Sequence, residues 1–550
     1  YFYLLIPITI ILLKLIKNLN FFKKKYFLFM IMLLVFSLSF LIFNYNDTPF
    51  KINTFNRPPL YPLFMIFGGI YTFNTFLYFI SLQILISLVC IYMIYKILNK
   101  FIYNSKFVFF SVFVYALTSI PYVLITYLSA EQLSYLFIIA FIYFSVEFHF
   151  SNKSTYLYFA LIASLCSWFT RWEGQIIFIS FCILILVYFF YKKISIRKIF
   201  IFILISSISI FSWSSIRSIS TGDFSSFFSV SNSSMDQLMW KYYSATPSTI
   251  FKYEKRFNLV KKNSGVFKSD LYPNQPIGSL IVHPDNGPNT KYMYDLIFEV
   301  INEKPDSYKY LQQSLAEATK DESNKSIDFY YQLFGKFDDN ELLLKNIIEQ
   351  PSIYYFNYFN PLIIEKIGRS EKDQLYKKVL FESFNNYPIL LFTPIASFFK
   401  VYGIDLENYL TKNGKLFGIR DANFLMPYNG GKCAINNLTL ELFDEYEKSH
   451  NKDLPIFAKN IFNYSDFLND FIRDYFGLII IFGYLILLFL NPIMFIPLCF
   501  IPISYAAVVS FLVGAPINAK YEILIFPINF MILSVTIYKI FSYLLRKIKI

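Results

Sequence analysis

Apolar runs close to or longer than the roughly 18 residues that a bilayer-crossing helix needs recur along this chain. They fall at about 1–16, 26–44, 75–97, 107–127, 131–149, 155–170, 174–191, 197–215, 475–490, 493–514 and 522–541. A backbone crossing lipid must satisfy its own polar groups, so runs of this length fold as helices. Composition agrees: 56% of the 550 residues are hydrophobic, well above a soluble domain. The expected fold is an all-α polytopic membrane protein with about eleven transmembrane helices. Between 216 and 474 charged and polar residues take over, with turn signals such as YPNQP, HPDNGP and NGGK. The chain thus divides into an N-terminal transmembrane domain (1–215), a mainly helical soluble insert (216–474) and C-terminal transmembrane helices (475–550). It opens on Tyr1, not Met. The first apolar run therefore reads as a truncated transmembrane helix rather than a signal peptide.

Lysine placement orients the bundle. The loops 14–25, 96–106, 149–155 and 191–198 and the tail 539–550 together hold seventeen Lys and Arg, against four (Lys51, Arg57, Arg171 and Lys520) in the short loops of the other side. The positive-inside rule makes the first group cytoplasmic. The segments FNRPPLYPLF (55–64), SAEQ (129–132), TRWEGQ (170–175), the insert and APINAKY (515–521) then all lie outside. The net charge of +13, with Lys outnumbering Arg 41 to 9, reads as topology rather than nucleic-acid binding, since no compact basic patch with interleaved aromatics occurs.

Several function classes lack their motifs. There is no P-loop, GxGxxG, HExxH or CxxC framework. Four of the five cysteines (Cys90, Cys166, Cys182, Cys499) sit in apolar runs, where cysteine acts as a small hydrophobe, and only Cys433 is in a polar region. The histidines (His149, His283, His450) have no metal-ligand spacing.

The chemistry-bearing candidates all map to the outer side. Asp47, in NYNDTPF, is a carboxylate that could serve as a general base toward an acceptor hydroxyl or amine, or simply be a solvated loop acid. Arg57 is followed by Pro58, Pro59 and Pro62, which stiffen the chain around a guanidinium suited to phosphate, although snorkelling explains it as well. Glu131 opens a helix, where the dipole favours an acid, and could be a second acid of the same cavity. Arg171 and Glu173 share a connection so short that both must be interfacial or inside the bundle, where they could pair with each other. Lys520 and Tyr521 open the last span; Tyr61 and Arg217 complete the rim with Glu173. Four of the nine arginines (57, 171, 217 and 473) lie at this face of a lysine-biased chain. Within the insert, 347–367 and 384–404 share a polar lead, a proline and an apolar aromatic stretch. Both suit interfacial or lid helices, or else the insert's own core.

Taken in order, an early outward acid, RPPLYPLF, YLSAEQLSYLF, TRWEGQ and AKYEILIFPI resemble the GT-C superfamily of integral-membrane glycosyltransferases. The nearer relatives are bacterial enzymes similar to protein O-mannosyltransferases and aminoarabinose transferases. The likeness covers about 26–215 and 475–541. The resemblance implies a GT-C-like bundle in a bacterial or archaeal plasma membrane, with an outward-facing site and inverting transfer. Its donor would be a polyprenyl-phosphate sugar, its acceptor a glycan, lipid or protein, and a divalent metal is compatible with it. Asp47 would then be the catalytic base and Glu131 the second acid. Arg57, Arg171, Lys520 and Tyr521 would hold the donor phosphate. The first outer loop is shorter than the family pattern, and an extra span precedes the matched region. Outside this class, a polysaccharide polymerase or ligase would share the span count and large outer loop, and a transporter would carry ionisable groups mid-span and broken helices.

Overall fold

The computed structural model describes residues 60, 64, 76–118, 120–121, 130–221, 234–243, 280–282, 286–311, 313, 351–386, 388–404, 406, 456–512 and 519–548. Among these residues the regular elements are all helical. In chain order they are α1 (Phe76–Phe101), α2 (Ser105–Leu117), α3 (Ala130–Ser151), α4 (Ser154–Thr170), α5 (Gln175–Phe190) and α6 (Ile196–Thr221). The polar middle supplies α7 (Ser234–Tyr243), α8 (Pro288–Glu303), α9 (Pro351–Ile367), α10 (Arg369–Asn386) and α11 (Phe392–Lys400). Then follow α12 (Ile456–Leu490), α13 (Pro492–Phe495), a π-helical turn (Ile496–Phe500), α14 (Ile501–Leu512) and α15 (Ala519–Ile548).

From 75 onward the expected spans fall on helical segments, that at 107–127 only in part and that at 493–514 on α13, the π-turn and α14 together; the runs at 1–16 and 26–44 lie outside the described residues. Among the described residues six stretches are long and apolar enough to cross a membrane: Leu82–Phe101, Ala130–Ser151, Ile196–Ile216, Phe467–Phe489, Pro492–Phe511 and Ile523–Leu545. The chain is a multi-pass integral membrane protein. The helix expected over 107–127 is described only to Leu117. Asn104 caps its start, accepting from the backbone N–H of Lys106 and Phe107. Its end lies just ahead of Pro121, in a stretch where the residue before proline is pushed out of helical geometry.

α3 packs on α1 and α4, α4 on α5, and α15 on α12, α3, α1 and α2. Apolar spans offer no hydrophobic gradient between helices in lipid, so close fit matters more than area. Gly483 of α12 provides such a fit: a Cβ there would collide with the Oγ1 of Thr536 on the facing helix α15. Serine hydroxyls within the spans bond back to their own helix: Ser180 donates to the carbonyl of Ile176 at 2.7 Å, and Ser206 and Ser209 to those of Phe202 and Ile205 at 2.8 Å.

Side-chain contacts fix which helix ends lie together. At one end Lys100 meets Glu147 at 3.1 Å, Lys198 donates to Ser154 at 2.6 Å, and Asn491 touches His149 at 3.5 Å. At the other end lie the starts of α3 and α15 and the α4–α5 connection. Tyr115 ties the first two by bonding Tyr135 at 2.8 Å and packing its ring on Phe526 and Phe530.

The polar middle contributes a helical cluster with its own core, and α7 of that cluster also packs on α14. α7, α8, α9 and α10 pack around Met239, Ile297, Phe359, Ile363 and Val379, all buried. Thus the described part of 347–367, α9, enters the insert's own core: Tyr376 of α10 donates to Asn360 on it at 2.9 Å. The similar stretch 384–404 goes elsewhere. Its α11 packs on α14, and Phe398, Val401 and Tyr402 join the core of the transmembrane bundle. Two glycines permit this. A Cβ on Gly477 of α12 would collide with the carbonyl oxygen of Tyr402, and one on Gly403 would lie 2.6 Å from the Cα of Asp474. Gly403 also has φ of +69°, which glycine adopts without a Cβ penalty.

Candidate functional site

The α4–α5 connection TRWEGQ is built by a tight turn. Arg171 ends α4, its N–H bonding to the carbonyl of Ser167 at 3.0 Å, and Trp172–Gly174 form one 3₁₀ turn into α5. A Cβ on Gly174 would collide with the Ser167 carbonyl, so only glycine lets the chain fold back this closely. The turn places Arg171 and Glu173 two residues apart on one side. The guanidinium grips Glu173 with two N–H groups, Nη2 at 2.5 Å and Nε at 3.0 Å. Its Nη1 reaches Glu131, forty residues back in the first turn of α3. Both glutamates are 2% exposed.

Helix termini stabilise each charge in place. Glu131 opens α3 and Glu173 immediately precedes α5, so both carboxylates face positive dipole ends. Arg171 closes α4, at a negative end. Removing charge from water is costly, and these dipoles and hydrogen bonds offset part of that cost. Beside the cluster, Gln132 donates to Ser87 at 2.6 Å, and Ser87 donates to the carbonyl of Pro121 at 2.6 Å.

The structure therefore brings Glu131, Arg171 and Glu173 together. Lys520 and Tyr521 lie in the first turn of α15, and Arg217 lies near the end of α6. Asp47, Arg57 and Tyr61 lie outside the described residues. Arg473, the last of the four arginines expected at the outer face, is paired with Asp470 and Asp474, both at 2.9 Å. Among the described residues no group of three or more His, Cys, Asp or Glu is arranged to hold a metal ion. Cys90, Cys166, Cys182 and Cys499 are free thiols.

Comparison with known protein families, with curated proteins and with solved structures finds no match. The arrangement of side chains is thus what the functional reading has to rest on.

Sequence reasoning missed a second polar cluster. Tyr484 of α12 donates to Asn529 of α15, and the ring of Tyr402 stands edge-on to Tyr484, 6.1 Å between centroids. The π-turn at Ile496–Phe500, which contains Pro497, interrupts the α-helical pattern of the span between Asn491 and Leu512. Asn529, a lone amide in an apolar run, was the available signal; Tyr402 gave none, because it looks like part of the insert. In the insert itself, buried Lys372 pairs with Asp236, with Asp373 at 3.1 Å, and lies 5.2 Å from the Tyr376 ring centroid.

Proposed function

We propose that this protein is a membrane glycosyltransferase that moves a sugar from a polyprenyl-phosphate donor to an acceptor on the extracytoplasmic face, with a GT-C-like bundle of about eleven spans. The observation that carries the reading is the buried ionic cluster of Glu131, Arg171 and Glu173 at one end of the bundle. Ionisable groups so placed are costly and mark a working site by default. Such a donor keeps its isoprenoid tail in lipid and its headgroup at the surface, so its enzyme needs charged groups at a helix-end boundary.

In this reading Asp47 takes the proton of the acceptor hydroxyl as that oxygen bonds to the anomeric carbon. The bond from that carbon to the phosphate oxygen breaks with inversion, and polyprenyl phosphate leaves. Arg57, Lys520 and Tyr521 receive the phosphate charge, and Glu131 is the second acid. The membrane assigned is a bacterial or archaeal plasma membrane, with the lysine-rich helix ends cytoplasmic.

The test is transfer from a labelled polyprenyl-phosphate sugar by protein reconstituted in liposomes. Release of polyprenyl phosphate with label moving to an acceptor is expected, and D47N should abolish both while keeping the wild-type thermal midpoint. Full activity in D47N would remove Asp47 as the base, and no donor turnover by the wild type with any polyprenyl-phosphate sugar would remove the transferase. The π-turn within the span at Ile496–Phe500, with the polar Tyr484–Asn529 pair, favours a transporter as the second reading. Substrate flux into the same liposomes, without turnover, would establish that one.

A further inference from the structure

We infer that Arg171 serves the two buried acids and not the donor phosphate: Glu173 holds Arg171, and Arg171 holds the carboxylate of Glu131 in place. The inference rests on the transferase reading, in which Glu131 belongs to the site, and it revises the phosphate-binding role that the sequence resemblance gives Arg171.

Three of the five guanidinium N–H donors are directed at these carboxylates: Nε at 3.0 Å and Nη2 at 2.5 Å to Glu173, and Nη1 to Glu131. A two-point grip fixes the plane of the guanidinium, so the remaining edge has one direction to point. That direction is Glu131. The grip is itself set by the backbone, because Arg171 and Glu173 sit on a single turn that Gly174 closes against Ser167. The side chain of Arg171 is only 10% exposed. Among the described residues, a phosphate brought to this guanidinium would also meet the carboxylates of Glu131 and Glu173, and each would repel it. A carboxylate, by contrast, is what the fork already fits. Arg171 and Glu173 are therefore positioning residues that act through Glu131. The donor phosphate is left to other cations, for which the sequence resemblance offers Arg57 and Lys520.

The decisive comparison uses the full-length protein in liposomes, with wild type, E173Q and R171K. Turnover of a polyprenyl-phosphate sugar and equilibrium binding of polyprenyl phosphate are measured on each. Loss of the fork should lower kcat at least about tenfold in both variants, while the KM for donor and the Kd for polyprenyl phosphate stay within about twofold. A roughly tenfold weaker Kd or KM in R171K would make Arg171 a phosphate ligand and overturn the inference, as would an unchanged kcat in E173Q. Should E173Q fold poorly, E173D keeps the charge while shortening the arm, and the same split decides. A wild type that turns over no donor would defeat the transferase reading. The inference would then be judged on polyprenyl-phosphate affinity. For a protein that binds none, it would be judged on the thermal midpoints of E131Q, E173Q and the double variant. Non-additive shifts are expected from a shared guanidinium, and additive shifts would contradict it.

Discussion

One guanidinium between two enclosed carboxylates makes Arg171 intolerant of removal. R171A would leave both acids without their shared partner, a loss on the order of 3–5 kcal/mol for a buried pair. Lys100 and Glu147 also form an ion pair, at 3.1 Å, but the lysine is a third exposed. K100A should therefore cost less than about 1 kcal/mol. Denaturation of the two variants in matched detergent checks the contrast, and equal shifts would mean that the triad is solvated. The pairing of Arg171 with Glu173 was legible in the sequence because two residues of one short turn must share a side of it. The joining of Glu131 was not, since only the packing of α3 against α4 brings the two charges together across forty positions. Tyr402 was illegible for the same reason: the Tyr484 ring it meets lies in a span far along the chain. Y484F, which deletes the hydroxyl donated to Asn529, should destabilise by about 1–3 kcal/mol by leaving a buried amide oxygen unsatisfied. Chemical denaturation of that variant beside wild type checks this, and an unchanged midpoint would contradict it.

Elements of similar sequence reach different destinations here. The stretches 347–367 and 384–404 share a proline-led, aromatic pattern, yet α9 completes the insert's core and α11 packs into the transmembrane bundle. Local pattern sets that both are helical. What separates them is whether a partner surface admits close approach, and Gly477 and Gly403 supply it to α11. Gly477→Ala should force Tyr402 off α12 and cost about 1–3 kcal/mol, as overpacking does. A thermal midpoint equal to wild type would show that the Tyr402 carbonyl does not rest on that glycine.

The start of α8 rests on a distant acid. Glu382 of α10 accepts from the backbone N–H of Thr290 at 2.8 Å and of Asn289 at 3.1 Å, and from the Thr290 hydroxyl at 2.7 Å. Burial raises the pKa of this carboxyl, but the hydrogen bonds from Thr290 and Asn289 together outweigh it and hold the group below its ordinary value. Its stabilisation is therefore complete above the unfolded carboxylate pKa and fades as pH falls through the lower folded value. The thermal midpoint of E382Q should lie below wild type at neutral pH, with the gap closing in acid. A gap independent of pH would contradict the assignment.

At the scale of the whole molecule, the lengths of the apolar runs made the membrane-spanning architecture readable, because a run of that length in lipid satisfies its backbone within itself only as a helix. The expected spans from 75 onward fall on helical segments, six of them long and apolar enough to cross a membrane, while the helix over 107–127 is described only as far as Leu117 ahead of Pro121. The insert's separate core and the entry of α11 into the bundle were beyond sequence reading, since both depend on contacts between segments far apart in the chain. The charges of the candidate site were readable as types and roughly as places, while their use was not: Arg171 had the right chemistry for phosphate and is spent on carboxylates.

The account's central claim is that a lipid-linked phosphate docks at the end of the bundle where Glu131, Arg171 and Glu173 meet. A structure determined with polyprenyl phosphate bound tests this most directly. The account predicts the phosphate at that end, within hydrogen-bonding distance of Arg57 or Lys520 and not of Arg171. A phosphate at the opposite end, beside Lys100 and His149, would contradict it.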